Sequence, residues 1–581
     1  MSSPPSRAGT SSALQRGKAC LNCRTKNVLM LEYRPVCGPC DHAGRGDDCE
    51  YADAQGRSRT QTLLDTISRL ETRVQELESL NALNPNLALL DAHQDSPGTS
   101  PTGPASPADS ESYRSSAFPL SWQITDPTQL LGSHAPPTTV WDTEDLPIDV
   151  SSELLNIFFQ HVGHIPWFLH EGRYRASAAL PSGNFDRPIP ALVTAVHLWG
   201  IKFSGSEDLA PHAPGLLAQA MSEMGHALAG ALLHSVVQVI QAHVLLATYL
   251  YHAGRFVEGS THSDAAAALA VHCSLHKIRS ATPTPRRATF MDPISVMLPE
   301  PRDQVEEGER INAFWTSYWM SRVWAVVLGV PSPVFDVDGA TQIDTPWPLD
   351  MEVYERGWLY PELRTSGTLK SFLNGISIGW PWENNSSLAE LSKAAALLEQ
   401  ATRLASSWRP ELPNAAGYYA EFIALDTRIE EFKAGLNPMI GLSTFPPAAR
   451  QRLHASHCIA QSVSIQLHAA FASQNSASRH KCLEAGLAII RAGAAARILE
   501  FPFVDHGVGA MWAAVCRVLI NEIITVRSLY LDPSILAVPV LSEAELLAAL
   551  DELQVAMAHF APSSALMSTH FILEWSSTLT P

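Results

Sequence analysis

The chain has 581 residues, and its 58 Asp and Glu against 40 Lys and Arg give a formal net charge of −18 at pH 7. A net acidic body excludes DNA binding by bulk electrostatics. Residues 1 to 60 are the exception, with nine Lys and Arg against six Asp and Glu, so any contact with nucleic acid has to come from this N-terminal segment.

Residues 1–18 are rich in Ser, Pro and Arg and contain no long apolar stretch. We expect this segment to be disordered. We also expect a reducing compartment for the protein, because a secreted chain carries an apolar leader. A disulfide framework for the cysteines that follow is therefore the less favoured alternative.

Five of the nine cysteines lie close together, in the spacing C-x2-C-x13-C-x2-C-x8-C. The backbone within a C-x2-C pair can turn around one ion, and zinc takes tetrahedral sets of thiolates. The pattern therefore predicts a zinc site within residues 19–52. The candidate ligands are Cys20, Cys23, Cys37, Cys40 and Cys49.

The sequence around these cysteines resembles the fungal binuclear zinc cluster of transcription factors. It reads C-L-N-C-R-T-K, followed by R-P-V-C-G-P-C. In that family six cysteines hold two zinc ions, and the first and fourth cysteines bridge both. Here Met30 stands in the place of the third cysteine, and a neutral thioether is a poor zinc ligand. The resemblance implies one complete zinc set, formed by Cys20, Cys37, Cys40 and Cys49.

The family also carries a short basic helix after the second cysteine, which enters the major groove and contacts a CGG-like half-site. Arg24 and Lys26 match it, whereas the run from residue 27 to residue 31 lacks the family's further lysines. Two explanations stay open: a truly degenerate cluster, or a local error in the coding sequence. The DNA-contacting residues that the resemblance implies are Lys18, Arg24, Lys26, Asn27 and Arg34.

Residues 59–82 carry apolar residues at alternating spacings of four and three. A seam of this period, with Ile or Val at one core position and Leu at the other, favours a parallel two-stranded coiled coil. We expect a homodimer through this seam. A lone amphipathic helix is the alternative, because Pro85 limits the helix length. The seam consists of Leu63, Ile67, Leu70, Val74 and Leu77.

Residues 83–147 are rich in Ser, Pro, Thr and Asp. Such a stretch cannot bury enough apolar surface to order itself, so we expect a disordered linker. Its end, from Trp141 to Val150, mixes acidic with large apolar residues. We expect this piece to dock onto the domain that follows, with an activation peptide as the alternative.

Beyond Val150, apolar residues recur at helical spacing and alternating strand patterns are scarce, which predicts an all-α class. One stripe begins at Leu154, and another runs from Leu232 to Leu245. The second stripe lies between Glu223 and Arg255, a stretch without formal charge. Because His and Gln residues interrupt it, a buried core helix is favoured over a membrane span, and we expect no other segment to come close to spanning.

Three landmarks follow in order: L-L-N-I-F-F-Q-H-V-G-H-I-P-W-F-L-H, then T-Y-L-Y-H-A-G-R-F-V-E-G-S, then E-E-G-E-R-I-N-A-F-W-T-S-Y-W-M-S-R-V-W. With them, residues 148–350 resemble the fungal-specific transcription factor domain. The resemblance implies a large helical regulatory domain, which further helices continue over residues 351–581. The family has Asp where this chain has Ser321, before Arg322. An acid that pairs this arginine is either missing or supplied elsewhere.

The sequence has no Gly-rich phosphate loop, no H-E-x-x-H and no G-x-S-x-G elbow, and we expect no enzyme. Two groups of neighbouring side chains invite a metal hypothesis. We expect both groups to be structural, because isolated His pairs on helices mostly are. They are His161 with His164, and His454 with His457 and Cys458.

Together the resemblances imply a nuclear, zinc-dependent transcription factor that regulates RNA polymerase II transcription. Its implied partners are double-stranded DNA, a second copy of the chain, and coactivators or corepressors, without a membrane. The alternative is an interaction protein that has lost DNA reading; a helical enzyme joined to a vestigial zinc module is a third option. We expect the acidic and apolar helix from Glu543 to Phe560 to pack into the domain.

Overall fold

The computed structural model describes residues 146–181, 183–228, 235–281, 298–331, 342–376, 386–409, 415–441, 445–531 and 541–567, together with Cys40, Ser68 and Thr72. Contacts between residues divide the chain into two compact units, Met1–Glu111 and Ser112–Pro581. The predicted zinc, DNA-contacting and coil residues all belong to the first unit. All of them except Cys40 lie outside the described residues, as does the predicted linker up to residue 145.

The described part of the second unit consists of α-helices and short 3-10 turns without a strand, and one isolated bridge joins Ser280 and Thr365. This confirms the predicted all-α class. In chain order the α-helices are α1 (Ile148–His161), α2 (Glu171–Ala178), α3 (Pro190–Ser204), α4 (Ala213–His226), α5 (Val236–His252), α6 (Phe256–His272), α7 (Gln304–Leu328), α8 (Met351–Glu355), α9 (Thr368–Leu373), α10 (Ser387–Ser407), α11 (Ala415–Ala434), α12 (Pro447–His468), α13 (Ser476–Ala496), α14 (His506–Leu531) and α15 (Glu543–Phe560).

Two long helices hold the second unit together. Helix α7 packs against α5, α6 and α10, and so joins the segments before and after residue 350. Helix α12 packs against α10, α11, α13 and α14. A continuous core of buried apolar side chains runs through both groups, from Leu154 to Met567.

The boundaries of α7 follow from its terminal residues. Asp303 accepts a hydrogen bond from the backbone N–H of Glu306 at 3.0 Å, and such a carboxylate cap also complements the helix dipole. Gly329 ends the helix in the left-handed region, at φ 66°, as C-terminal glycines commonly do. The aromatic side chains of this helix are buried: Phe314, Trp315, Tyr318, Trp319 and Trp324.

Helix α5 is a buried core helix, as its uncharged sequence predicts. Its polar side chains tie neighbouring loops to the core. Gln241 accepts a hydrogen bond from the Phe168 N–H at 2.9 Å and donates one to the Pro166 carbonyl at 3.0 Å. Gln238 accepts from the Ile189 N–H at 2.9 Å. These bonds satisfy loop backbone groups that burial would otherwise leave unpaired.

A different helix passes the test for a membrane span. Among the described residues, the segment Gly507–Ser528 of α14 is long and apolar enough to cross a membrane, and 67% of its most apolar stretch is buried inside the protein. The expectation that no further segment would come close to spanning was therefore wrong. Burial of most of this stretch is typical of a core helix.

The predicted docking of the linker's end is seen at its last residues. Leu146 and Val150 pack against the core, while residues 141–145 lie outside the described part. The stripe that begins at Leu154 is also confirmed, since Leu154, Phe158 and Phe159 are buried.

Candidate functional site

The histidines that invited a metal hypothesis have partners within the fold. On α12, the His454 Nε2 lies 3.3 Å from the Cys458 Sγ, whereas the His457 Nε2 turns away to the Asn437 carbonyl at 2.8 Å. The His161 Nδ1 approaches the Ile157 carbonyl at 3.0 Å. Among the described residues no group of three or more His, Cys, Asp or Glu is placed to hold a metal ion.

The His454 and Cys458 pair is also a poor catalytic dyad. Burial lowers the pKa of His454 to about 3, and the charge of His457 adds to this effect. Burial raises the pKa of the Cys458 thiol well above its usual range. Both groups are therefore neutral at physiological pH, and a buried thiol is a weak nucleophile because the thiolate is the reactive form.

The acid that pairs Arg322 is supplied from other helices. The Arg322 guanidinium, only 2% exposed, donates to the Glu399 Oε1 of α10 at 2.5 Å. Ser321 occupies the family's acidic position, and its hydroxyl donates to the Asp264 Oδ1 of α6 at 3.0 Å. The sequence left open whether the acid that pairs Arg322 is missing or supplied elsewhere, and in the structure Glu399 supplies it.

Asp264, Ser321, Arg322 and Glu399 form a group that we call the charge seam, which joins α6, α7 and α10. Burial raises the pKa of Glu399, and the nearby Arg322 opposes that rise. Burial likewise raises the pKa of Asp264, against the hydrogen bonds from Ser321 and Ser260. The Arg322–Glu399 ion pair joins α7 to α10, and the Ser321–Asp264 hydrogen bond joins α7 to α6. Both contacts have a structural role.

A groove of about 420 Å³ lies in the C-terminal part of the described chain. Its floor is formed by the buried residues Trp512, Ile489 and Leu553, and two exposed apolar side chains stand at its mouth: Leu499, 51% exposed, and Val555, 54% exposed. The residues around it come from α13, the 3-10 turn Ile498–Glu500, α14 and α15. They are Ile489, Ile490, Gly493, Ala494, Arg497, Ile498, Leu499, Glu500, Trp512, Glu552, Leu553, Val555 and Ala556.

One wall of the groove is a sharp corner that a buried arginine holds in place. Arg497 ends α13 in the left-handed region, at φ 55°, which is uncommon for a residue other than glycine. Arg450, 5% exposed, donates to the Ala496 carbonyl at 2.9 Å and to the Glu500 carboxylate at 2.7 Å. These two bonds fix the chain on both sides of the corner.

The rim of the groove carries two carboxylates that differ in their partners. Glu500 pairs with both Arg450 and Arg497, and the Arg450 hydrogen bond is the main reason that its pKa is lowered. Glu552 is exposed and makes no hydrogen bond or ion pair with the rest of the described chain. With Arg450 and Arg497 against Glu500 and Glu552, the charges around the groove sum to zero.

Gly493 brings the wall of α13 close to the core. A Cβ at this position would lie 3.2 Å from the Ile498 Cδ1 and 3.7 Å from the His454 Nε2. The groove thus has the neutral His454 directly behind one wall.

Sequence reasoning did not find this groove. The helix from Glu543 to Phe560 is packed as predicted, with Leu546, Leu550 and Phe560 buried. However, its outer residues Glu552 and Val555 contribute to the groove, and the only sequence signal was the acidic and apolar mixture already noted for this helix.

Residues 155–381 match the family model of the fungal specific transcription factor domain. No curated protein and no solved structure matches the chain. The match covers less than half of the chain. It supports the regulatory domain that the sequence landmarks predict. Every groove residue lies beyond the end of the matched segment.

Proposed function

We propose that this protein is a nuclear, zinc-dependent transcription factor that binds CGG-like half-sites as a dimer and regulates RNA polymerase II transcription. The main support is the match of residues 155–381 to the fungal specific transcription factor domain, which lies C-terminal to a zinc-cluster-like cysteine pattern. In this proposal the N-terminal segment contacts DNA, and the helical domain regulates output through coactivators or corepressors.

The charge distribution agrees with this division of labour. The chain is acidic as a whole, yet residues 1 to 60 have three more basic than acidic residues. Lys and Arg that neutralise phosphates release counterions, so binding through this segment should weaken as salt rises. Arg24 and Lys26 are the proposed contacts next to the first zinc ligands.

Zinc content is the first test, measured as zinc per chain by elemental mass spectrometry on the full-length protein, after the transcript across Cys20 to Cys49 has been resequenced. Because the resemblance makes Cys37 a shared ligand, Cys37→Ser should release all bound zinc. Cys273→Ser, outside the cluster, should leave zinc bound and serves as the matched control. A wild-type chain without zinc would contradict the zinc-dependent mechanism.

DNA binding is tested by mobility shift with duplexes that carry paired CGG half-sites or scrambled ones. The wild type should prefer the paired sites, and Lys26→Ala should weaken binding. Leu70→Pro should abolish dimeric binding while zinc content stays unchanged, because proline breaks a helix interior. Dimeric binding by Leu70→Pro would refute the coiled-coil part of the proposal.

Met30 and the apolar residues beside it favour a second candidate function. A degenerate cluster would leave an interaction protein that pairs with intact relatives or tethers cofactors. One zinc or none per chain, a confirmed Met30 and no preference for CGG sites would together select this function. Two zinc ions with a cysteine at position 30 would select the ordinary DNA-binding factor.

A further inference from the structure

We propose that Ser478, His468 and Asp426 form a nucleophilic site that accepts the acyl group of a small ester or thioester. The three side chains come from three helices: Asp426 from α11, His468 from the end of α12 and Ser478 from the start of α13. The Ser478 Oγ lies 3.1 Å from the His468 Nδ1, and the His468 Nε2 lies 3.0 Å from the Asp426 Oδ1. A serine beside a base that a third group orients is the arrangement of nucleophilic catalysis.

The direction of these hydrogen bonds suits a proton transfer from the serine. Burial by itself would raise the pKa of Asp426, but the hydrogen bonds from His468 and Lys481 outweigh it and lower that pKa to about 2. The ionised Asp426 can only accept, so the neutral imidazole carries its hydrogen on Nε2 and keeps a lone pair on Nδ1. The Nδ1 can therefore take the hydroxyl proton of Ser478, at a distance within the range of about 2.6–3.2 Å for a general base.

Lys481 fixes the carboxylate that orients the imidazole. Its Nζ donates to both carboxylate oxygens of Asp426, at 2.6 Å each, and lies 3.4 Å from the Glu430 Oε1. Since both oxygens of Asp426 are held, the carboxylate cannot rotate away from the His468 ring without breaking the ion pair. Lys481 is a positioning residue in this site.

Sequence motifs do not reveal this site, because its members are brought together by the fold. His468 lies 42 positions after Asp426 and 10 positions before Ser478. Such a triad is recognised by geometry and roles rather than by sequence order. Compared with the serine proteases, the two ring nitrogens exchange places, and either nitrogen of a neutral imidazole can serve as the acceptor.

The start of α13 supplies donors for the negative charge that develops on the acyl oxygen. The Asn475 side chain accepts from the Ser478 N–H at 3.1 Å, and its carbonyl accepts from the Arg479 N–H at 3.0 Å. The N–H groups of Ser476 and Ala477 precede any intrahelical partner, as in the first turn of every helix. Backbone N–H groups at a helix start are common stabilisers of such an oxyanion.

The depth of the serine limits the size of the acyl group. Ser478 is 5% exposed and His468 is 4% exposed, whereas residues 473–477 are exposed. The Phe422 ring stands edge-on to the His468 ring at 5.0 Å, and the Phe471 ring lies 5.4 Å from that of Phe422. A short acyl group fits a serine just beneath the surface, whereas a long chain would have to displace these packed rings.

The probe for this reaction is p-nitrophenyl acetate. The Ser478 Oγ bonds to the acetyl carbonyl carbon, and its proton passes to the His468 Nδ1. The bond from that carbon to the phenolic oxygen breaks, and p-nitrophenolate leaves with the electron pair. His468 then releases the proton to water, and an acetyl ester remains on Ser478.

The experiment follows acetylation of the full-length protein by peptide mass spectrometry. In the wild type, Ser478 should be acetylated at least about 100-fold faster than the exposed Ser473 of the same sample, the lower end of what a general base contributes. Unfolding the wild type in urea should remove this difference. His468→Gln should slow acetylation of Ser478 by the same factor, while Ser473→Ala should leave its rate unchanged.

A carboxylate pair separates orientation of the imidazole from the charge around Lys481. Asp426→Asn should slow acetylation of Ser478 at least about 100-fold, because the amide no longer fixes the tautomer of His468. Glu430→Gln removes the other carboxylate near Lys481 and should keep the wild-type rate. Thermal melting shows which variants fold, and the comparison of Ser478 with Ser473 in the wild type requires none of them.

Two results would overturn the proposal. One is acetylation of Ser478 in the folded wild type that is no faster than that of Ser473. The other is an equal rate in the wild type and in a folded His468→Gln. Either would leave the three side chains as a structural hydrogen-bond network. This inference does not depend on DNA binding, and its test contains no DNA.

Discussion

Acidification should destabilise the helical domain through His454. An unfolded histidine has a pKa of about 6.5, whereas burial lowers the pKa of His454 to about 3 in the folded protein. The folded state therefore binds fewer protons than the unfolded state, so the stability from this group is complete above pH 6.5 and is lost as the pH falls toward 3. Between pH 7.5 and pH 5.5 the loss is about 1.4 kcal/mol.

This magnitude depends little on the folded pKa. At pH 5.5 any folded value below about 4.5 leaves His454 neutral, and the cost is then set by protonation of the unfolded chain. The environment explains why the group stays neutral. His454 is 1% exposed, its ring lies 6.0 Å from that of Trp512 and 6.4 Å from that of Phe501, and its near polar neighbour is the Cys458 thiol.

The assay is urea unfolding of the full-length protein at pH 7.5 and pH 5.5, followed by tryptophan fluorescence. Other buried histidines also lower the stability of the protein in acid. His243 is one of them, because burial lowers its pKa to about 3. The comparison with His454→Gln isolates the single group, and this variant should lose about 1.4 kcal/mol less than the wild type. Cys458→Ala keeps His454 and should retain the full pH dependence. Equal losses in the wild type and in His454→Gln would refute the reasoning.

Two further predictions concern packing and charge. A Cβ on Gly308 of α7 would overlap the ring of Tyr354, whereas one on Gly225 of α4 would meet open space. Gly308→Ala should therefore lower the free energy of unfolding by about 1–3 kcal/mol, while Gly225→Ala should leave it unchanged or raise it; equal chemical denaturation midpoints would contradict this. Glu399→Gln should lower the free energy of unfolding, because it leaves the buried Arg322 without its ion-pair partner. The loss should lie toward the low end of about 3–5 kcal/mol, because Glu399 itself is 32% exposed. The exposed Glu484→Gln should cost under about 1 kcal/mol, and similar melting temperatures for the two variants would refute a stabilising charge seam.

The all-α class of the large domain was predicted from the helical spacing of its apolar residues, and its buried helix α5 from a stretch without charge. The buried helix α5 and the aromatic face of α7 follow from local sequence, because each depends on residues only three or four positions apart. The partners of the Ser321–Arg322 pair lie 57 and 77 residues away. No local pattern connects such positions, so the sequence left two alternatives there.

The groove was beyond sequence reasoning for a related reason. Its walls come from three separate stretches of the chain. Its corner depends on Arg497 in the left-handed conformation, which a sequence usually signals by glycine or asparagine. The zinc ligands, DNA contacts and coil seam remain predictions, since apart from Cys40 they lie outside the described residues.

The contact between the start of the domain and α12 has a consequence for synthesis on the ribosome. The His164 Nδ1 meets the Gln451 side chain at 2.5 Å across 287 positions of sequence, and Arg452 donates to the Gly163 carbonyl at 2.7 Å. At about 5–20 residues per second, roughly 15–60 s pass between the emergence of these two surfaces. During that interval the first helices are made but cannot close against α12, so nascent chains should engage chaperones until the C-terminal half has been translated.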